Sequence, residues 1–169
     1  MTFTPNTIEH LGVRMYSTLP PVIAELIANS QDADATTVNI HLIDKDSKEI
    51  IVSDNGHGMS FVDINEKFLR IGRNRRSDEA SQTSPGGRKV IGKKGLGKLS
   101  FFGIAHEIEV RTVQNHKRNS FLMKWDDILS DGDRDKQKDY SPTIIEYDVD
   151  CKESNGTIII LRDIQRISD

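Results

Sequence analysis

Wound at about 100° per residue, positions 22–33 set Val22, Ile23, Leu26 and Ile27 on one arc and gather Glu25, Asn29 and Asp32 within roughly 60° of each other beside it. Thr18 precedes Pro20 and Pro21, and proline suits a first helical turn, where its missing N–H is not needed. The pattern predicts a helix over 20–33. Beyond it the period shortens: β-branched residues in 37–43 and 49–53 flank the polar stretch 44–48, which predicts two strands joined by a tight turn. Ser60 is placed to cap a second helix over 61–70. From 72 to 95 the chain turns polar, basic and glycine-bearing without periodicity, the signature of a functional loop, here read as a lid. A short helix over 96–103 and strands over 107–113, 120–125, 143–148 and 157–161 follow, with 126–142 as a charged, solvated insert.

Composition narrows the class. At 169 residues, with 36% apolar and 29% charged residues, the chain is expected to fold as a single soluble domain around one core. A net charge of -3 gives no general attraction for nucleic acid, although basic residues gather between positions 70 and 98. Cys151 is the lone cysteine, and the five histidines lack zinc spacing, so a cytoplasmic setting without a structural metal is expected. No apolar run approaches the ~20 residues that span a bilayer, and 1–10 lacks the pattern of a secretory signal.

Three segments carry candidate chemistry. On the first helix, Glu25 could accept a proton from water, and the Asn29 amide oxygen one turn later could ligate magnesium, which prefers oxygen donors shared with phosphates. An amphipathic surface helix with a solvated polar stripe gives the same pattern. After the second expected strand comes Asp54-Asn55-Gly56-His57-Gly58-Met59, where the Asp54 carboxylate could accept from an exocyclic amine such as that of adenine; a plain Asn-Gly turn is the alternative. Further on, Gly92-Lys93-Lys94-Gly95-Leu96-Gly97-Lys98 runs into an apolar helical stretch, so free backbone N–H groups would face an anion such as a phosphate. The overlapping string from Gly87 to Lys94 matches a P-loop except at its last position, where Lys94 replaces the Ser or Thr that would bind magnesium. The polar 80–85 also stands where a strand would be required, and the P-loop reading is set aside.

Together, Glu25-x-x-x-Asn29-x-x-Asp32-Ala33, Asp54-x-Gly56-x-Gly58-Met59, Gly92-x-x-Gly95-x-Gly97 and Gly156-Thr157 resemble, in order, the N box and three G boxes of the GHKL ATPase superfamily. The resemblance runs from about residue 18 to 161. It implies the Bergerat fold, an α/β two-layer sandwich with a mixed, mostly antiparallel sheet, helices on one face, and ATP held between them under a lid. By the same resemblance Glu25 would be the general base, Asn29 the magnesium ligand and Asp54 the adenine-reading carboxylate. Asp32 and Thr157 would support the base and the adenine pocket. Gly56, Gly58 and Met59 would shape that pocket, Asn55 and Ile91 would line the site, and Gly92, Lys94, Gly95, Leu96, Gly97 and Lys98 would meet the phosphates. The N box looks most like the chaperone, mismatch-repair, topoisomerase and microrchidia branch, and less like histidine kinases.

ATP and Mg2+ are thus the expected ligands, and ATP hydrolysis the expected activity. The resemblance also implies a following transducer-like domain that supplies a lysine and couples ATP to homodimerisation. The chain stops at Asp169, soon after the last box, so slow turnover is expected of it alone. Two rivals stay open: a nucleotide-dependent switch with little hydrolysis, and a nucleic-acid-associated module using Arg70, Arg73, Arg75, Arg76, Arg88, Lys89, Lys93, Lys94 and Lys98.

Overall fold

The computed structural model describes residues 19–44, 47–68, 83–91, 101, 103–127 and 141–164. The glycine loop 92–98, the outer parts of the expected lid (72–82 and 92–95), most of the helix expected over 96–103 and the middle of the charged insert (128–140) lie outside them.

Helix α1 (Leu19–Asp32) accepts both prolines in its first turn and buries Val22, Leu26 and Ser30, one residue per turn along a single stripe. Its end is a Schellman turn: Ala35 N donates to Ser30 O at 3.0 Å and Asp34 N to Gln31 O at 3.0 Å, with Asp34 in the left-handed conformation at φ 60. Glycine is the usual occupant of that position, because a β-carbon there costs roughly 1–2 kcal/mol.

Among the described residues six strands form one sheet: β1 (Val38–Asp44), β2 (Lys48–Asp54), β3 (Ala105–Gln114), β4 (Lys117–Lys124), β5 (Thr143–Asp150) and β6 (Gly156–Ile164), in the order β1-β2-β6-β3-β4-β5. Every ladder among the described residues is antiparallel. Strand pleating puts alternate residues on opposite faces, and on the helix-facing side the register creates cross-strand rows. Ile50, Leu161, Ile108 and Met123 form one row, and Val52, Ile159, Val110 and Phe121 form the next. All eight are buried and join Val22, Leu26, Ile64, Phe68, Phe101 and Ile104 in the core. The opposite face is charged instead: Arg162 lies 3.5 Å from Glu49, 3.0 Å from Glu107 and 2.7 Å from Glu109, and Arg111 pairs with the buried Glu109.

After β2, Ser60 caps α2 (Phe61–Asp63) with a capping box, as its sequence position predicts. The helix expected over 61–70 is not continuous α-helix. It widens into a π turn over Ile64–Phe68, where the Asn65 side chain occupies the Phe61 carbonyl at 3.0 Å, the acceptor an α-helical N–H would use. Ile64 and Phe68 still reach the core, with Phe68 edge-on to Phe121 at 5.7 Å.

Candidate functional site

The apolar rows of the sheet end in a polar one. Two residues beyond Val52, Ile159 and Val110 in the same strands stand Asp54, Thr157 and Thr112, paired across β2, β6 and β3 on the helix-facing side. The α1 stripe makes the same switch, from Val22 and Leu26 to Ser30. Helix and sheet are therefore apolar where they form the core and polar where they meet at one end.

The polar ends bond to each other. Ser30 Oγ donates to Asp54 Oδ2 at 2.9 Å, and Gly56 N to Asp54 Oδ1 at 2.9 Å, so each carboxylate oxygen is held by one donor and keeps a lone pair for another. Thr112 Oγ1 accepts from Met59 N at 2.9 Å, and it lies 3.1 Å from both Gly156 O and Thr157 Oγ1. This buried hydroxyl cluster ties the loop after β2 to the floor of the sheet.

That loop depends on its glycines. A β-carbon at Gly56 would lie 2.6 Å from Ala33 O, so the loop passes directly against the end of α1. Gly58 has φ 70, and a β-carbon there would lie 1.9 Å from Val113 O. Asn55 is exposed, and its side chain is spent on the neighbouring loop: Thr36 N and Thr37 N donate to its Oδ1 at 2.9 and 2.8 Å.

Along α1, Glu25, Asn29 and Asp32 are half-buried on one flank. The Asn29 Nδ2 atom is buried without a hydrogen-bond partner among the described residues. An orphaned amide is costly to bury, and a half-turn of the amide exchanges its nitrogen and oxygen. The position is therefore open to a ligand atom or, through the oxygen, to a cation. An oxygen donor on a helix that also carries two carboxylates fits magnesium. No group of three or more acidic, histidine or cysteine side chains suited to a metal occurs among the described residues.

The described part of the expected lid, residues 83–91, lies against the end of α1. Ile91 N donates to Asp32 Oδ1 at 2.7 Å. Asp34 accepts from Ser84 Oγ and from Gly86 N, the latter at 2.7 Å, while Arg88 Nη1 donates to Ala35 O at 2.6 Å. The Ser84 hydroxyl holds the Asp34 carboxyl below its ordinary range; desolvation opposes this, and Gly86 N–H, Arg88 and His57 add to the lowering.

Of the residues singled out in the sequence, Asp54, Gly56, Gly58, Met59 and Thr157 meet at the polar end of the sheet. Glu25, Asn29 and Asp32 share the adjoining helix, with Ile91 joined to Asp32. Gly92, Lys94, Gly95, Leu96, Gly97 and Lys98 lie outside the described residues. Three contributors were missed. Ser30 and Thr112 each interrupt an otherwise apolar register, the helical stripe 22-26-30 and the strand alternation 108-110-112, and a polar residue at an apolar position is the signal that could have found them. Asp34 carries no comparable mark.

The chain matches the family model described as Histidine kinase-, DNA gyrase B-, and HSP90-like ATPase over residues 16–157. A protein named "Putative type II restriction enzyme HgiDII", from Herpetosiphon aurantiacus, is 40% identical over 98% of this chain and 26% of its own length. The chaperone protein HtpG of Francisella tularensis subsp. holarctica is 30% identical over 90% of this chain and 26% of its own, and that of Idiomarina loihiensis 28% identical over 69% and 22%. The chain thus spans about a quarter of the length of these relatives. No helix among the described residues is long and apolar enough to cross a membrane.

Proposed function

Because the chain belongs to the histidine kinase-, DNA gyrase B- and HSP90-like ATPase family, we propose that residues 1–169 form one ATP-binding domain that hydrolyses ATP to ADP and phosphate to drive conformational change or dimerisation of a larger protein. The observation that carries this reading is the Asp54 carboxylate, fixed by Ser30 and Gly56 at the polar end of the sheet with acceptor capacity left over. An adenine amine is the donor it suits, with Thr157 and Met59 beside it.

In this proposal Glu25 orients and deprotonates the attacking water, and the Asn29 amide oxygen holds the metal. Magnesium, when bound, neutralises charge on the phosphates. The loop 92–98 offers backbone N–H groups to the same charge, so most of the rate comes from positioning and electrostatics. Residues 72–95 act as the lid and 126–142 as a surface insert.

Glu25→Ala tests the enzymatic part. Phosphate release should fall roughly 10²- to 10⁴-fold, with ATP affinity retained. Unchanged turnover removes Glu25 from the mechanism, and undetectable wild-type turnover with intact binding favours a nucleotide switch.

A nucleic-acid-associated ATPase module is the second reading. It rests on the relative named as a restriction enzyme, at 40% identity, and on the basic residues between positions 70 and 98. DNA binding that weakens steeply with salt supports it; no binding at low salt removes it.

A further inference from the structure

Asp34 stands at a position where the backbone favours glycine, and its side chain is fully engaged elsewhere. It closes the Schellman turn of α1 at φ 60. An aspartate tolerates this conformation better than most residues but still pays for its β-carbon. Its carboxylate receives the Ser84 hydroxyl on one oxygen and Gly86 N, at 2.7 Å, on the other.

The receiving segment is itself braced. Ser84 N donates to Arg88 O at 2.7 Å, Gly87 N to Ser84 O at 2.9 Å, and Arg88 N to Ser84 Oγ at 2.9 Å, which makes a compact turn between the bridged residues Thr83 and Lys89. Ser84 is buried in it. Two further bonds run to the same helix end, Arg88 Nη1 to Ala35 O and Ile91 N to Asp32 Oδ1. Four bonds therefore join residues 84–91 to residues 32–35, and the loop holding Asp54 packs against that helix end at Gly56 and Ala33.

We propose that Asp34 is a positioning residue, a latch that pins the turn 83–91 to the end of α1 and so sets how long a bound nucleotide stays. The inference rests on the nucleotide-site reading above. The turn is fastened next to the helix that carries Glu25 and Asn29, so movement of one is transmitted to the other through Asp32 and Asp34. With the latch closed the turn stays against the helix beside the Asp54 loop. With it open the turn swings free and nucleotide exchange accelerates in both directions.

Asp34→Gly is the informative variant, because it removes the carboxylate while relieving the left-handed backbone. The fold should be retained or slightly stabilised. Gly86→Ala attacks the latch from the other side: its β-carbon would lie 2.7 Å from Asp34 Cγ and push the carboxylate away without deleting a hydrogen-bonding group. Ser84→Ala removes one of the bonds, and Asp34→Asn, which keeps an acceptor and the same backbone tolerance, should rescue in part.

Two readouts separate this inference from the reading beneath it. The first is tryptic cleavage after Lys89 without nucleotide, which should quicken roughly tenfold in Asp34→Gly and Gly86→Ala and less in Asp34→Asn. The second is dissociation of a fluorescent ADP analogue by stopped flow, which should quicken by a similar factor, roughly tenfold. Variants that melt like wild type, are cleaved at the wild-type rate and release ADP at the wild-type rate overturn the latch. A wild type that binds no nucleotide overturns the site reading and the nucleotide half of this proposal, while the cleavage rates still decide whether Asp34 fastens the turn.

Discussion

Gly58→Ala gives a sharp test of how the loop after β2 is built. Two costs are visible at this position. The backbone is at φ 70, which an alanine adopts at a cost of roughly 1–2 kcal/mol. The new methyl group would also stand 1.9 Å from Val113 O and 2.7 Å from Val113 C. These are backbone atoms of β3 held in ladders to β4 and β6, so no side-chain rotation relieves the clash. Overpacking of this kind costs a further 1–3 kcal/mol or so, for a total of about 3 kcal/mol against a typical domain stability of roughly 5–15 kcal/mol. Gly87→Ala is the matched control: its φ is 85, but nothing lies within 4 Å of the added carbon, so only the backbone cost of about 1–2 kcal/mol applies. Urea denaturation of both variants measures the difference. A Gly58→Ala loss no larger than that of Gly87→Ala would falsify the claim that the loop is pressed onto β3.

Other outcomes follow from the same contacts. Leu26→Ala, emptying a fully buried site between α1 and the sheet, should cost about 2–5 kcal/mol in urea denaturation; a loss under 1 kcal/mol contradicts the core assignment. Ser30→Ala should cost little stability yet weaken ATP binding several-fold by freeing the Asp54 carboxylate, and unchanged affinity would show that this bond does not orient it. Burial raises the pKa of Glu109, but hydrogen bonds from Arg111 and Arg162 outweigh it and hold the carboxyl below its ordinary value near 4.5. A depressed folded pKa stabilises above the unfolded value and loses that contribution as pH falls through the folded one. The melting-temperature deficit of Glu109→Gln should therefore be greatest at neutral pH and shrink below about pH 4.5, and a pH-independent deficit contradicts this.

Much of the architecture was legible because burial imposes periodicity. The helix expected over 20–33 is Leu19–Asp32, and the six strands overlap the six segments that the sequence pattern predicts. The strand ends were less visible. β4 begins at Lys117 rather than at residue 120, because Arg118 and Asn119 find partners across the sheet in Glu146 and Asp148, and pairing of that kind leaves no hydrophobic trace in the strand itself. The π turn was hidden for a related reason, since it depends on one asparagine side chain competing for a carbonyl.

The candidate site divides the same way. Its residues were expected from the joint order of several motifs, since none stands out by composition alone, and the structure joins Met59 to Thr157 through Thr112, which no motif includes, with Asp54 beside them as the ladder partner of Thr157. The Asp34 contacts join residues about fifty positions apart through a turn with no periodicity, which is why the sequence is silent about them.

Calorimetric titration of Mg-ATP and ADP into the wild type and Asp54→Ala tests the central claim most directly. The variant should remain folded, because Ser30 Oγ falls back on Leu26 O, 3.2 Å away. Wild-type binding that weakens roughly 10- to 100-fold or vanishes in the folded variant is the expected result. Equal affinity in the two proteins would contradict adenine recognition by Asp54, and with it the account of this end of the sheet as a nucleotide site.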